Sequence, residues 1–353
     1  MIDQDVQKSV DKILLKAEEK KIPLTAHLDI TYKCNLNCVH CYCQGLSEAF
    51  TRGQPEMSTA MIKRVLDELA EIGTLYLGIS GGEALIHPDF FEIIRHARKR
   101  NFCISLLTNG TRVNEEVAGR LEEVSLRSVQ MSLYGLIPEV HDAITQTPGS
   151  FSKTTEAVRV LKKHKLRVVL TSVIMEQNIH QATEISKFAQ ELGADDHSLS
   201  VDISRKNDGS ISPQRYQISP EKIRDFFSKI GPDMPKGSPD IPEEPLAKPV
   251  CGAASTGCYI SPFGDVYPCV QLLVSMGNIK ERTFREIWRE PSGLRTELDS
   301  LKTYGDMPAC RACDYVKVCR KCLGLAQLET GDMKKCYDIL KCISGVEYEL
   351  QSK

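Results

Sequence analysis

Neither sign of charge is in excess: 45 Lys and Arg stand against 47 Asp and Glu, a formal net charge of −2. The chain therefore has no electrostatic field to gather nucleic acid or an anionic membrane, and neither is expected as a partner. It lacks any apolar run of the roughly 20 residues that spanning a bilayer takes. Its opening residues, "MIDQDVQKSV", lack the basic and apolar regions of a secretory signal. A cytoplasmic protein is the expectation. No oxidising compartment is implied, so the fourteen cysteines are not read as a disulfide framework. In a reducing compartment, clustered cysteines bind metal or do catalysis.

What is present, besides cysteine, is a repeated alternation. With 353 residues, 41% hydrophobic, the chain can fill one large or two medium domains. Residues 1–22 read as a charged helical extension. "LTAHLDIT" then alternates strictly, with Leu24, Ala26, Leu28 and Ile30 on one face of a strand. "MSTAMIKRVLDELAEIG" follows at helical spacing behind a Ser58/Thr59 cap signal. Strand-like "LYLGIS", "CISLLTNG", "SVQMSLYG", "RVVLTSVIM" and "SLSVDI" come next, each separated by a helical segment. The class is α/β: a parallel sheet with crossover helices, either a partial barrel or a doubly wound sheet. Chemistry in such sheets sits at the C-terminal ends of strands. A Pro- and Gly-rich stretch, 231–250, reads as a linker, and residues 251–342 carry nine of the cysteines with little periodic structure apart from an amphipathic piece near "TFREIWRE". Metal is the expected source of stability there.

Three motifs fall at strand ends: "CNLNCVHCYC" (34–43), "SGGE" (80–83) and "TNG" (108–110). The first, Cys34-x₃-Cys38-x₂-Cys41, admits a zinc site if His40 is the fourth ligand. Its geometry is poor, since His40 and Cys41 are adjacent. A 4Fe-4S cube needs four ligands, so three cysteines leave one iron open to a small molecule.

With that loop after the first strand, the chain resembles the radical S-adenosylmethionine (SAM) superfamily. The resemblance implies a partial (β/α)6 TIM-like barrel over 23–230, in which SAM chelates the open iron and is cleaved by one electron to a 5′-deoxyadenosyl radical. It also implies that His40 lies against the adenine, and that Gly81, Gly82 and Glu83 hold the methionine amine. Thr108 and Ser132 are nominated as hydroxyls on SAM, although either is equally a turn former. Ala84 and Thr145 depart from the family, which usually has Pro and often Arg there.

The C-terminal half resembles the SPASM extension of the same enzymes, a small Cys-rich domain (251–353) with two auxiliary 4Fe-4S clusters. The resemblance assigns Cys251, Cys258, Cys269 and Cys322 to one cluster. It assigns Cys310, Cys313, Cys319 and Cys336 to the other, with Cys342 as rival to Cys336. The gap between Cys319 and Cys322 is one residue shorter than usual. A zinc ribbon is the alternative for this half.

The family implies an oxidoreductase that matures a ribosomally made peptide or peptide-derived cofactor. A low-potential donor, ferredoxin or flavodoxin, would supply electrons. Only about twenty residues precede the first strand, so a leader peptide is expected to be recognised by a separate leader-peptide-binding protein or by the barrel itself. Val270 stands where sulfatase-maturing relatives keep an acidic base, which argues against that activity. The alternatives are a small-molecule enzyme editing a tetrapyrrole or metal cofactor, and a noncatalytic iron–sulfur carrier.

Overall fold

A computed structural model describes residues 4–43, 45–46, 53–230, 244–290 and 292–351. Nine strands form one sheet, in the order β6-β5-β4-β3-β2-β1-β7-β8-β9. β1 (Thr25–Asp29), β2 (Tyr76–Ser80), β3 (Cys103–Thr108), β4 (Ser128–Ser132), β5 (Val168–Val173) and β6 (Asp196–Ser200) are parallel, and helices connect them. This is the α/β alternation read from the sequence, in the partial-barrel form.

Side-chain alternation in β1 sets the layers. Ala26, Leu28 and Ile30 are buried among the helices' aliphatics, while His27 and Asp29 take the inner face. The helix Thr59–Ile72 buries Ile62, Val65, Leu66, Leu69 and Ile72, begins with the Ser58 hydroxyl accepting from Met61 N, and stops at Gly73. Each buried aliphatic contributes roughly 1.5–3 kcal/mol.

The structure corrects three expectations. The sixth strand begins at Asp196 and not at Ser198, because β6 is the sheet's edge and admits the polar Asp196 and His197. Beyond the amphipathic piece at Phe284–Arg289, the C-terminal half holds further regular helices, Gly293–Asp299 and Leu323–Thr330 among them. At 7 and 8 residues these two are too short to declare a period. Finally, β7 (Gly257–Ile260) pairs in parallel with β1, and β8 (Asp265–Tyr267) and β9 (Gly277–Asn278) extend it antiparallel. The two halves thus share one sheet.

Trp288 strengthens that join: fully buried, it donates its indole N–H to Lys21 O at 2.7 Å, just ahead of β1. The charged extension at the N-terminus is the helix Gln4–Glu19. Of the expected linker, residues 231–243 lie outside the described residues; its end is a short turn of helix at Pro245–Ala247. No helix among the described residues is long and apolar enough to cross a membrane.

Candidate active site

The cysteine loop leaves the C-terminal end of β1 and lies directly on the end of β2. Gly82 N donates to Thr31 O at 2.8 Å and Glu83 N to Lys33 O at 2.9 Å. A Cβ at Gly81 would sit 2.0 Å from Thr31 O, and one at Gly82 2.4 Å from Lys33 O. These glycines are therefore required by the approach of the cysteine loop itself, before any ligand is considered. On its far side the loop is pinned by Asn37 N to Thr145 O (3.0 Å) and Val39 N to Ile144 O (2.9 Å). Thr145, where relatives often carry Arg, serves here through its backbone.

Cys34, Cys38 and Cys41 are brought together. Burial pushes the Cys38 thiol up to about 12, with the charges of Cys41 and Cys34 adding to it. Burial also raises Cys34, helped by Glu83 and Cys41, while hydrogen bonds from Leu36 N (3.4 Å) and the Asn109 amide (3.8 Å) oppose the rise. Three mutually repelling thiolates need a bound cation to coexist, and metal binding supplies it. Cys43, given no role from the sequence, has its sulfur 3.7 Å from that of Cys41. The His40 ring is neutral, lowered to about 4 by burial, and meets Tyr134 edge-on at 4.8 Å. Its Nδ1 is buried without a partner among the described residues. An unsatisfied buried nitrogen costs free energy until a ligand meets it, which fits a cofactor seated beside the loop.

Glu83 closes the other side. Its carboxylate accepts from Thr108 Oγ1 (2.7 Å), Leu85 N (3.0 Å) and Asn109 N (2.7 Å), tying the ends of β2 and β3 together. Burial raises its pKa in spite of these bonds. A capping role and a ligand role coexist in it, because carboxylate oxygens have further lone pairs. Ser132 is not part of this group. It lies at the end of β4 beside Tyr134, on the His40 side of the thiols.

Beneath the loop is a buried polar chain that sequence reasoning missed. Asp29 accepts from Tyr259 OH at 2.9 Å and lies 3.1 Å from His27 Nε2. Tyr259 meets the Tyr32 hydroxyl, to which Asn207 donates at 3.4 Å. The alternation of β1 already put His27 and Asp29 opposite the apolar face, which was the available signal. Tyr259 could not be foreseen, since it depends on β7 pairing with β1.

The C-terminal cysteines form two groups. Cys269, pushed up to about 11 by burial, also feels Cys322 and Cys251; Cys251, itself raised by burial, feels Cys322. Cys310, Cys319 and Cys336 are each raised by burial, and the charge of Cys313 acts on all three. Cys258 is not brought into the first group. It is buried on β7 opposite Ala26, and burial alone raises its thiol. Cys342 points elsewhere, to Pro220 O at 3.6 Å, with Arg224 and Glu221 as its charged neighbours. Cys336 is thus the one that joins Cys310, Cys313 and Cys319. Among the described residues, no three Cys, His, Asp or Glu side chains gather at the spacing of a single-ion site.

Residues 28–189 match the family model of the radical SAM superfamily, and residues 251–322 that of an iron–sulfur cluster-binding domain called SPASM. The AdoMet-dependent heme synthase of Methanosarcina barkeri is 30% identical over 86% of this chain and 92% of its own length. The mycofactocin maturase MftC of Mycobacterium tuberculosis is 30% identical over 88% of this chain and 80% of its own. Streptococcus suis SuiB, solved with its precursor peptide SuiA, superposes with a TM-score of 0.67 at 16% identity, over 96% of this chain and 82% of that one. At that identity the last likeness speaks for the fold alone.

Proposed function

We propose that the chain, which belongs to the radical SAM superfamily and carries its SPASM extension, modifies a ribosomally made peptide or peptide-derived cofactor precursor. It is an enzyme whose cofactors are a 4Fe-4S cluster that binds SAM, SAM itself and auxiliary 4Fe-4S clusters. Bound SAM supplies, on one-electron cleavage, a 5′-deoxyadenosyl radical that takes a hydrogen atom from the substrate. The observation carrying this reading is the trio Cys34, Cys38 and Cys41, framed by Glu83 and Asn109 on one side and by His40 and Tyr134 on the other.

Each residue has its own part. The three thiols hold the SAM-binding cluster. Glu83 places a buried carboxyl group at the loop and is the acceptor for an ammonium group. His40, neutral and buried, offers a flat surface and an unpaired nitrogen to an adenine. Thr108 orients Glu83, Ser132 lies on the adenine side, and Gly81 and Gly82 let the loop seat. Asp29, His27 and Tyr259 form a hydrogen-bonded chain that braces the inner face. Cys251, Cys269 and Cys322 serve one auxiliary cluster, and Cys310, Cys313, Cys319 and Cys336 the other. Cys258 is left to the core.

The low-potential donor, a ferredoxin or flavodoxin working in the cytoplasm, is proposed to approach the surface around Lys206 and Arg215, near Cys38 and Cys41. These two cations suit an acidic partner.

A second reading is tetrapyrrole editing, favoured by the heme synthase likeness over nearly the whole of both chains. The experiment is anaerobic turnover with SAM and dithionite against candidate precursor peptides and, in parallel, iron-bearing tetrapyrroles. Mass loss in a peptide supports the first reading. Change confined to the tetrapyrrole replaces it with the second.

A further inference from the structure

Lys321 lies between Cys319 and Cys322 and is only 4% exposed. Its ammonium donates to Lys335 O, the carbonyl just before Cys336. Its backbone N–H donates to the Tyr304 hydroxyl at 2.9 Å, which in turn donates to Cys319 O at 2.8 Å. The side chain is thus fixed at the centre of the second cysteine group by contacts at both of its ends. No carboxylate reaches ion-pair distance of it among the described residues. A buried cation needs a counter-charge, or it is expelled or neutralised. The negative groups packed around this one are thiols: its charge acts on Cys310, Cys319 and Cys336 alike. Lys248, which donates to Cys319 O at 3.2 Å, and Lys341 add weaker positive charge from neighbouring elements. Around Cys251 and Cys269 the groups that act most strongly are Cys322, Cys251 acting on Cys269, and backbone N–H donors.

We infer that Lys321 is a positioning and charge-tuning residue: its ammonium raises the reduction potential of the cluster held by Cys310, Cys313, Cys319 and Cys336, making it the preferred electron acceptor of the two auxiliary sites. A reduced cluster carries one more negative charge than the oxidised one. A fixed positive charge in a poorly solvated pocket stabilises the reduced form more, and net charge is among the main controls on such potentials. The electron comes from the substrate radical left by hydrogen abstraction, which is oxidised by one electron and loses a proton. The cluster is reduced by one electron and none of its bonds changes. The inference rests on the ligand assignment proposed for those four cysteines.

The test is an anaerobic redox titration of the full chain, reduced with dithionite and followed by electron paramagnetic resonance. The relevant signal is identified as the one lost, with about four irons, in Cys310→Ala/Cys313→Ala. Lys321→Met should keep the parent's iron and move that signal's midpoint to a more negative potential, by more than it moves either of the other two clusters. Lys321→Arg should restore the parental midpoint, and Lys248→Met should give a smaller negative shift. A parental midpoint in iron-replete Lys321→Met overturns the charge effect. If Lys321→Met cannot hold the cluster, Lys248→Met decides, and an unshifted midpoint there overturns it equally. Should Cys310→Ala/Cys313→Ala retain all its iron, the ligand assignment falls instead, and the acceptor role with it.

Discussion

The Glu83 carboxylate and the backbone N–H of Asn109 meet at 2.7 Å, joining the ends of β2 and β3, while the Asn109 side chain turns to the sulfur of Cys34. A single residue thus connects the thiol loop to the buried carboxylate. Glu83→Ala would strand three donors in the interior, so the informative change is Glu83→Gln, which keeps shape and an acceptor. Losing a charged hydrogen bond to SAM costs about 1.5–3 kcal/mol, a roughly 10- to 150-fold rise in Kd. Calorimetry on anaerobic protein should find this with iron content unchanged. Equal SAM affinity in variant and parent removes Glu83 from the SAM site.

Gly82→Ala separates loop seating from ligand contact. The new Cβ would lie 2.4 Å from Lys33 O, so the cysteine loop must lift off the end of β2. Overpacking of this kind costs about 1–3 kcal/mol. The expected outcome is loss of the SAM-binding cluster's iron with the auxiliary iron retained. Full iron and a weakened SAM affinity would instead mean that the glycine serves the ligand.

The fold was legible wherever one face of an element is apolar. β1 and the helix Thr59–Ile72 declared themselves through spacing, and the cysteine loop through its ligand types. What stayed hidden depends on long-range pairing. The register Ala26↔Cys258 places in the sheet, buried, a residue that the family resemblance had assigned to a cluster. The same pairing brings Tyr259 to Asp29 across 230 residues. No local pattern in "GCYI" distinguishes a metal loop from a strand.

Iron analysis checks that register directly. Cys258→Ala and Cys342→Ala should each retain the parent's iron, about twelve atoms for three four-iron clusters, whereas Cys336→Ala should lose about four. A loss of about four irons in Cys258→Ala would return it to the first auxiliary group.

Asp202 gives a pH test. It borders a cavity of about 320 Å³, and burial, with the charge of Glu329 adding, pushes its carboxyl up to about 6. The folded pKa is thus raised above the unfolded value of about 3.9. Its contribution is complete below the unfolded value and is lost as pH rises through about 6, so ionised Asp202 destabilises the protein at neutral pH. Asp202→Asn should therefore stabilise by roughly 1–3 kcal/mol near pH 7.5, with the gain shrinking toward pH 5. Anaerobic calorimetry reads it as a rise in Tm. A pH-independent gain would show that the carboxyl does not titrate in this range.

The central claim is that the loop after β1 is where SAM is cleaved. Iron-replete parent protein, given SAM and dithionite without oxygen, should form 5′-deoxyadenosine and methionine. The triple variant Cys34→Ala/Cys38→Ala/Cys41→Ala, with folding and auxiliary iron verified, should form none. Product from the triple variant at the parental rate, or none from the iron-replete parent, would contradict the account.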